Sequence, residues 1–204
     1  MYSSSFSPHP PHPRLQLRRP LLILVSGAPA SGKTVLAQRL ARERRLPLLA
    51  RDAYKEILFD TLGSPDRARS HQLGIAAYEL LYATIGYLLD AGIGAVVDCN
   101  FHRGASEPRL RPLVARARAV LIQCETTHEE RERRHSDRFR HGERHPGHHD
   151  GVMPAEVRIN VAAGMYDALD LPIPMLRVDT TAGYAPEFAE IEAFIDEAER
   201  ATPA

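Results

Sequence analysis

Of the 26 basic residues in this 204-residue chain only two, Lys33 and Lys55, are lysine; there is no tryptophan, and cysteine occurs twice, at Cys99 and Cys124. Two cysteines exclude a disulfide framework and fit a reducing cytoplasm. Formal net charge is zero, so nothing draws the chain generally towards nucleic acid or an anionic membrane surface. No stretch approaches the roughly 18 consecutive apolar residues that a membrane span needs. The first 20 residues, MYSSSFSPHPPHPRLQLRRP, lack the apolar centre of a secretory signal and read as a flexible Pro/Ser/His tail. Residues 21–204 then read as a single domain, and an apolar fraction of 44% is enough for a core. The scarcity of lysine is what a GC-rich coding bias produces. Lysine is then retained where a compact ammonium is required, which singles out Lys33 and Lys55.

Apolar runs of strand length alternate with segments of helical periodicity. LLILVS (21–26), LPLLA (46–50), IGAVVD (93–98), AVLIQCE (119–125) and IPMLRVDT (173–180) read as five strands. Helices are expected over 33–45, from Asp52 as N-cap to Gly63, over 66–91, 108–118, 126–140, 155–169 and 186–200. This alternation predicts an α/β fold, a parallel sheet covered on both faces, with ligands at the carboxyl ends of the strands. Each strand does end in polar residues: Ser26, Arg51–Asp52, Asp98–Asn100, Glu125–Thr127 and Asp179–Thr181.

SGAPASGKT follows the first strand and fits the phosphate-loop pattern G-x-x-x-x-G-K-[ST], with Gly27, Gly32, Lys33 and Thr34 in the fixed places. In such a loop, Gly27, Ala28, Pro29, Ala30, Ser31, Gly32 and Val35 curl the backbone around an anion. Lys33 reaches the β- and γ-phosphates and the Thr34 hydroxyl ligates Mg²⁺. The following helix adds its positive end. The expected cofactors are ATP and Mg²⁺. Asp98, at a buried strand end, is placed to hold a Mg²⁺-bound water. Asp52 is placed to accept the proton of an alcohol as a phosphoryl group is transferred to it, although it could equally cap the helix AYKEILF.

SGAPASGKT…ARDAYKEILF resembles the kinase half of bacteriophage polynucleotide kinase and the related P-loop kinases, a group including chloramphenicol phosphotransferase and the zeta-toxin kinases, within the AAA-type ATP-binding family. The resemblance implies a P-loop NTPase α/β/α sandwich, like the nucleoside-monophosphate kinases, with a five-stranded parallel sheet. It implies Asp52 as catalytic base and Lys55, where the family has arginine, as an acceptor-side contact. Asn100 and Arg103, on the loop after VVD, are further acceptor-side candidates. A helical lid over about 127–153 follows the same pattern, and its arginines would neutralise charge developing on the transferred phosphoryl group. Arg134 and Arg138, one turn apart, are preferred, with Arg131 as the alternative. RHPGH (144–148) recurs in stand-alone kinases of this group, which assigns His145 and His148 to acceptor recognition. Transition-metal binding by the cluster His141, His145, His148, His149 and Asp150 is the weaker alternative. The loop after the fifth strand passes the adenine in such kinases, which nominates Thr180. Their strand order also puts the first strand between the third and fourth, so Cys99 and Cys124 would sit about 9–10 Å apart, too far for a disulfide.

The expected function is transfer of the ATP γ-phosphate to a hydroxyl of a small molecule. A polynucleotide 5′-hydroxyl kinase is the alternative, disfavoured by zero net charge and by the acids that interrupt the basic helix 129–144. A second alternative is a nucleotide-dependent switch, which would have no need of an acceptor-activating carboxylate. No membrane partner is expected.

Overall fold

A computed structural model describes residues 19–63, 66–140, 145 and 155–201. Strands β1 (Leu21–Ser26), β2 (Leu48–Ala50), β3 (Ala95–Asp98), β4 (Arg118–Glu125) and β5 (Met175–Asp179) form one sheet in the order β2-β3-β1-β4-β5, with every pairing parallel. The first strand therefore lies between the third and fourth, as expected. Register brings the carboxyl ends to one rim. Asp98 is level with Val25 on one side and Ala50 on the other, and Ser26 is level with Gln123.

Strands buried on both faces need apolar side chains pointing both ways, and the unbroken LLILV of β1 supplies them. Leu22 and Leu24 pack with α3 (Arg67–Asp90) and α4 (Glu107–Val114). Ile23 and Val25 pack on the opposite face with α1 (Lys33–Arg44) and α7 (Phe188–Ala201). The result is a three-layer α/β/α arrangement. Helix α2 (Arg51–Leu62) starts directly from the end of β2 and has no buried residue of its own; α5 (His128–Arg140) leaves the carboxyl end of β4, and α6 (Ala155–Ala162) follows.

Several boundaries differ from the sequence expectation for identifiable reasons. β2 starts at Leu48, after Pro47, whose carbonyl accepts from Val96. β5 starts at Met175, after Pro174, which has no N–H to give the ladder. The helix expected to run to residue 169 ends at Ala162, and Gly164 with φ 70° turns the chain. Asp52 does not cap α2: the N-cap is Ala50, no side chain caps the helix, and Asp52 lies inside the first turn. Gly63 does terminate α2 and Asp66 does cap α3, accepting from the Arg69 amide at 2.8 Å. Among the described residues no helix is long and apolar enough to cross a membrane.

Candidate functional site

Three positive φ angles shape the turn between β1 and α1: Gly27 at 146°, Ala30 at 65° and Gly32 at 80°. Glycine is required at the first, where a Cβ would lie 2.4 Å from the Cys124 carbonyl oxygen. Gly32 is the N-cap of α1, and among the described residues the first amides of that helix, those of Lys33 and Thr34, have no side-chain cap. Free amides at a helix start, with the positive end of the helix behind them, suit an anion. Ala28 and Ser31 close the loop through a 3.1 Å bond from the Ser31 amide to the Ala28 carbonyl, and Pro29 is half-buried.

Thr180, 4% exposed just after β5, ties this loop to the neighbouring strand ends. Its hydroxyl lies 2.7 Å from the Ser31 carbonyl and 3.1 Å from that of Glu125. Arg134 reaches the same place from α5. Its Nη1 donates to Thr180 Oγ1 at 3.2 Å, its Nη2 donates to the carbonyls of Thr180 and Thr181, and its Nε donates to Glu130 at 2.7 Å. A Cβ on Gly32 would touch both Arg134 Nη1 and Thr180 Oγ1 at 3.1 Å. A cleft of about 520 Å³ opens beside the loop, where Thr34, Val35, Arg133, Arg134, Thr180 and Tyr184 line it. Val35 is 64% exposed, an apolar side chain facing open space.

Asp98 is 7% exposed, and its Oδ1 has no hydrogen-bond partner among the described residues. Burial pushes its carboxyl above the usual aspartate range; the Lys33 charge and a hydrogen bond with Thr34 offset this only in part, and the nearby Asp52 charge adds to it. Lys33 and Thr34, Asp52 and Asp98, which come from three separate stretches of sequence, thus meet around the Asp98 carboxyl at one rim. Asp52 keeps its side chain 55% exposed and accepts from Arg51 Nη1 at 3.0 Å. Lys55 follows one turn along α2 and is half-buried.

The remaining candidates are more dispersed. The Asn100 carbonyl accepts from the Tyr78 hydroxyl at 2.9 Å. Arg103 is anchored by its amide to the Met165 carbonyl at 2.8 Å, and its guanidinium lies 3.8 Å from Asp167. His145 contacts Asp60 at 3.0 Å and stands edge-on to Phe59, about two turns along α2 from Asp52. His148 and the side chain of Arg138 lie outside the described residues, as does most of the lid segment beyond residue 140. Among the described residues, no three His, Cys, Asp or Glu side chains cluster as metal ligands. Both cysteines are free and buried. Burial pushes the Cys124 thiol up to about 12 and raises that of Cys99 further.

A family model described as "AAA domain" matches residues 22–152, which include the loop, Asp52, Asp98 and Arg134. The chain belongs to this AAA domain family. Among solved structures it resembles a kinase candidate from Chloroflexus aurantiacus, with 35% identity and a TM-score of 0.77 over 91% of this chain and 100% of that one. A gluconokinase from Sinorhizobium meliloti shares 19% identity and a TM-score of 0.57 over 90% and 95% of the two chains. Kti12 from Chaetomium thermophilum, solved in complex with ADP-AlF3, shares 18% identity and a TM-score of 0.56 over 91% and 100%. The last two show the fold alone. Nothing among curated proteins matches the chain.

The fold of this AAA domain protein is that of a P-loop kinase, and a nucleotide-binding loop is the common property of its family. Sequence reasoning passed over Arg133, Asp137, Gly183 and Tyr184, which also line the cleft. Only the approach of α5 and of the chain after β5 to the loop reveals them. It also passed over Tyr78, His102 and Tyr166, whose rings contact one another in series beside Asn100. Their spacing, 78, 102 and 166, carries no local pattern.

Proposed function

We propose that the protein is a Mg·ATP-dependent phosphotransferase that moves the γ-phosphate of ATP to a hydroxyl of a small molecule. The observation that carries this reading is the meeting of Lys33, Thr34, Asp98 and Asp52 at one rim, where the Asp98 carboxyl feels the charges of Lys33 and Asp52 and hydrogen-bonds with Thr34. The loop Gly27–Thr34 holds the phosphates, and Val35, Thr180 and the cleft beside them receive the nucleoside. Arg134 and Arg138 on α5 meet the charge that develops on the transferred group. Thr34 and Asp98 suit Mg²⁺: both offer hard oxygen donors, and the buried Oδ1 of Asp98, without a partner among the described residues, is free to hold a water on the cation. Bound there, the ion supplies charge neutralisation at the phosphates.

Asp52 orients the acceptor hydroxyl and takes its proton as the new O–P bond forms. The bond from the γ-phosphorus to the β,γ-bridging oxygen breaks, and ADP leaves with that electron pair. Lys55, Asn100, Arg103, His145 and His148 recognise the rest of the acceptor. Phosphoryl transfer should be screened with Mg·ATP against sugars, nucleosides, antibiotics and 5′-hydroxyl oligonucleotides. Transfer to one class of small molecule, with Asp52→Asn slowed by about 10²–10⁴-fold at unchanged ATP affinity, is the expected result. Transfer to the oligonucleotide alone, or full activity in a folded Asp52→Asn protein, would overturn the reading.

A further inference from the structure

Arg51 stands immediately before Asp52, yet it is the more enclosed of the two, with a side chain 14% exposed against 55%. Neighbouring residues on a helix ordinarily point apart. Here they meet because the Arg51 guanidinium is held from two other sides. It lies 4.8 Å above the Tyr78 ring, and its Nη2 donates to the Gly74 carbonyl at 3.3 Å. Tyr78 is in turn fixed through its hydroxyl to the Asn100 carbonyl, two residues past Asp98. Position 74 is built for this contact, since a Cβ there would lie 2.8 Å from Arg51 Nη2.

We infer that Arg51 is a positioning residue for the transfer reaction: Nη1 occupies Asp52 Oδ1, sets the plane of the carboxylate, and turns Oδ2 towards the acceptor hydroxyl. The inference rests on the kinase reading, with Asp52 as base. A loop of contacts from Asp52 through Arg51 and Tyr78 to Asn100 ties the head of α2 to the end of β3. The carboxylate on the acceptor side and the carboxylate on the metal side are thereby held in one frame. A lysine could supply charge at position 51, but not the flat fork that serves Asp52, the Gly74 carbonyl and the Tyr78 face together.

The test is a double-variant cycle on the full chain, with Mg·ATP and water as the acceptor and phosphate release as the readout. Arg51→Gln should lower kcat by about tenfold or more, the scale of a misplaced catalytic group, with KM for ATP unchanged. In the Asp52→Asn background the same substitution should have no further effect, because Arg51 acts only through Asp52. Gly74→Ala provides a second variant that favours folding. Its methyl displaces the guanidinium, so kcat should fall, while the melting temperature holds or rises because alanine is the better helix former. Losses that multiply in the double variant, or an Arg51→Gln protein with wild-type kcat, would overturn the inference and leave the kinase reading standing. Wild-type kcat in Asp52→Asn would remove both.

Discussion

Replacing Asp98 with asparagine should make the ligand-free protein more stable and the Mg·ATP-bound protein less so. The carboxylate is buried, one oxygen has no partner among the described residues, and burial outweighs the help of Lys33 and Thr34. A buried polar group without its partner costs about 1–3 kcal/mol. Asparagine keeps the shape and removes the charge, so the lower end, about 1 kcal/mol, is the reasonable gain at pH 7.5. For a chain of this size that is a rise of about 2–4 °C in melting temperature. The sign also fixes a pH dependence. The folded-state pKa is raised, so the Asp98 contribution is fully favourable below its ordinary value of 3.8 and is lost as pH rises through the folded value. The advantage of the variant should therefore shrink on acidification towards that ordinary value. With Mg·ATP at 100 times Kd, binding adds about 2.7 kcal/mol to the wild type, or about 5–11 °C. Asp98→Asn should lose most of that increment while keeping its affinity for metal-free nucleotide. Differential scanning calorimetry with EDTA, with ATP and EDTA, and with Mg·ATP distinguishes these states. An apo variant less stable than wild type, or one with the full Mg·ATP increment, would refute the assignment of Asp98 as a strained, metal-directed carboxylate.

Lys33→Ala should abolish ATP turnover with the fold retained, as judged by phosphate release and far-ultraviolet circular dichroism; persistent turnover would contradict the phosphate-loop assignment. Gly27→Ala, whose methyl would lie 2.4 Å from a backbone oxygen at a φ of 146°, should lose more than the roughly 1–3 kcal/mol of backbone strain alone, measured by denaturant titration. Both thiols should titrate in the denatured, unreduced protein and react slowly in the native one, where Cys99 and Cys124 are 2% and 1% exposed; finding neither in the denatured protein would contradict the strand order.

What the sequence discloses about this site depends on how each part is built. The phosphate loop is backbone geometry written at adjacent positions, with glycines where φ must be positive and a lysine at the helix start, and it is legible from a single line of residues. The rim was legible for a related reason: parallel strands of similar register end together, so Asp52, Asp98 and Thr180 had to share an edge. The failures come where a tertiary contact decides. Asp52 looked like a helix cap because an aspartate before AYKEILF satisfies the local rule. The helix instead starts two residues earlier, with Ala50 as its N-cap directly off β2, and Asp52 pairs with Arg51. For Arg134, preferred among the lid arginines, helical spacing marks the residue but not the partners that hold it. In the structure its guanidinium is bonded to the carbonyls after β5, a contact between segments 46 positions apart. The aromatic series Tyr78, His102 and Tyr166 depends on three such long-range approaches and left no mark on local periodicity.

A part of the assignment is independent of any motif. Three departures from ordinary folding rules meet at the carboxyl rim: Ala30, a non-glycine residue at φ 65°; α1, which starts without a side-chain cap; and Asp98, a buried carboxylate with one oxygen unpartnered among the described residues. Each is unfavourable in the ligand-free chain, and in the proposed reading each is relieved or used by a bound phosphate with its cation. The other non-glycine residue at positive φ among those described, Arg45 at 53°, provides the contrast. It closes the C-terminus of α1, where its amide bonds back to the carbonyls of Ala41 and Arg42, and the left-handed conformation is ordinary at that position. Strain at Arg45 is accounted for by the helix end itself. At Ala30 no helix end accounts for it, and it coincides with a buried acid and free amides within one turn of chain and one strand spacing. Local conflicts that remain after the fold has been accounted for, and that fall together, mark where folding has yielded to binding.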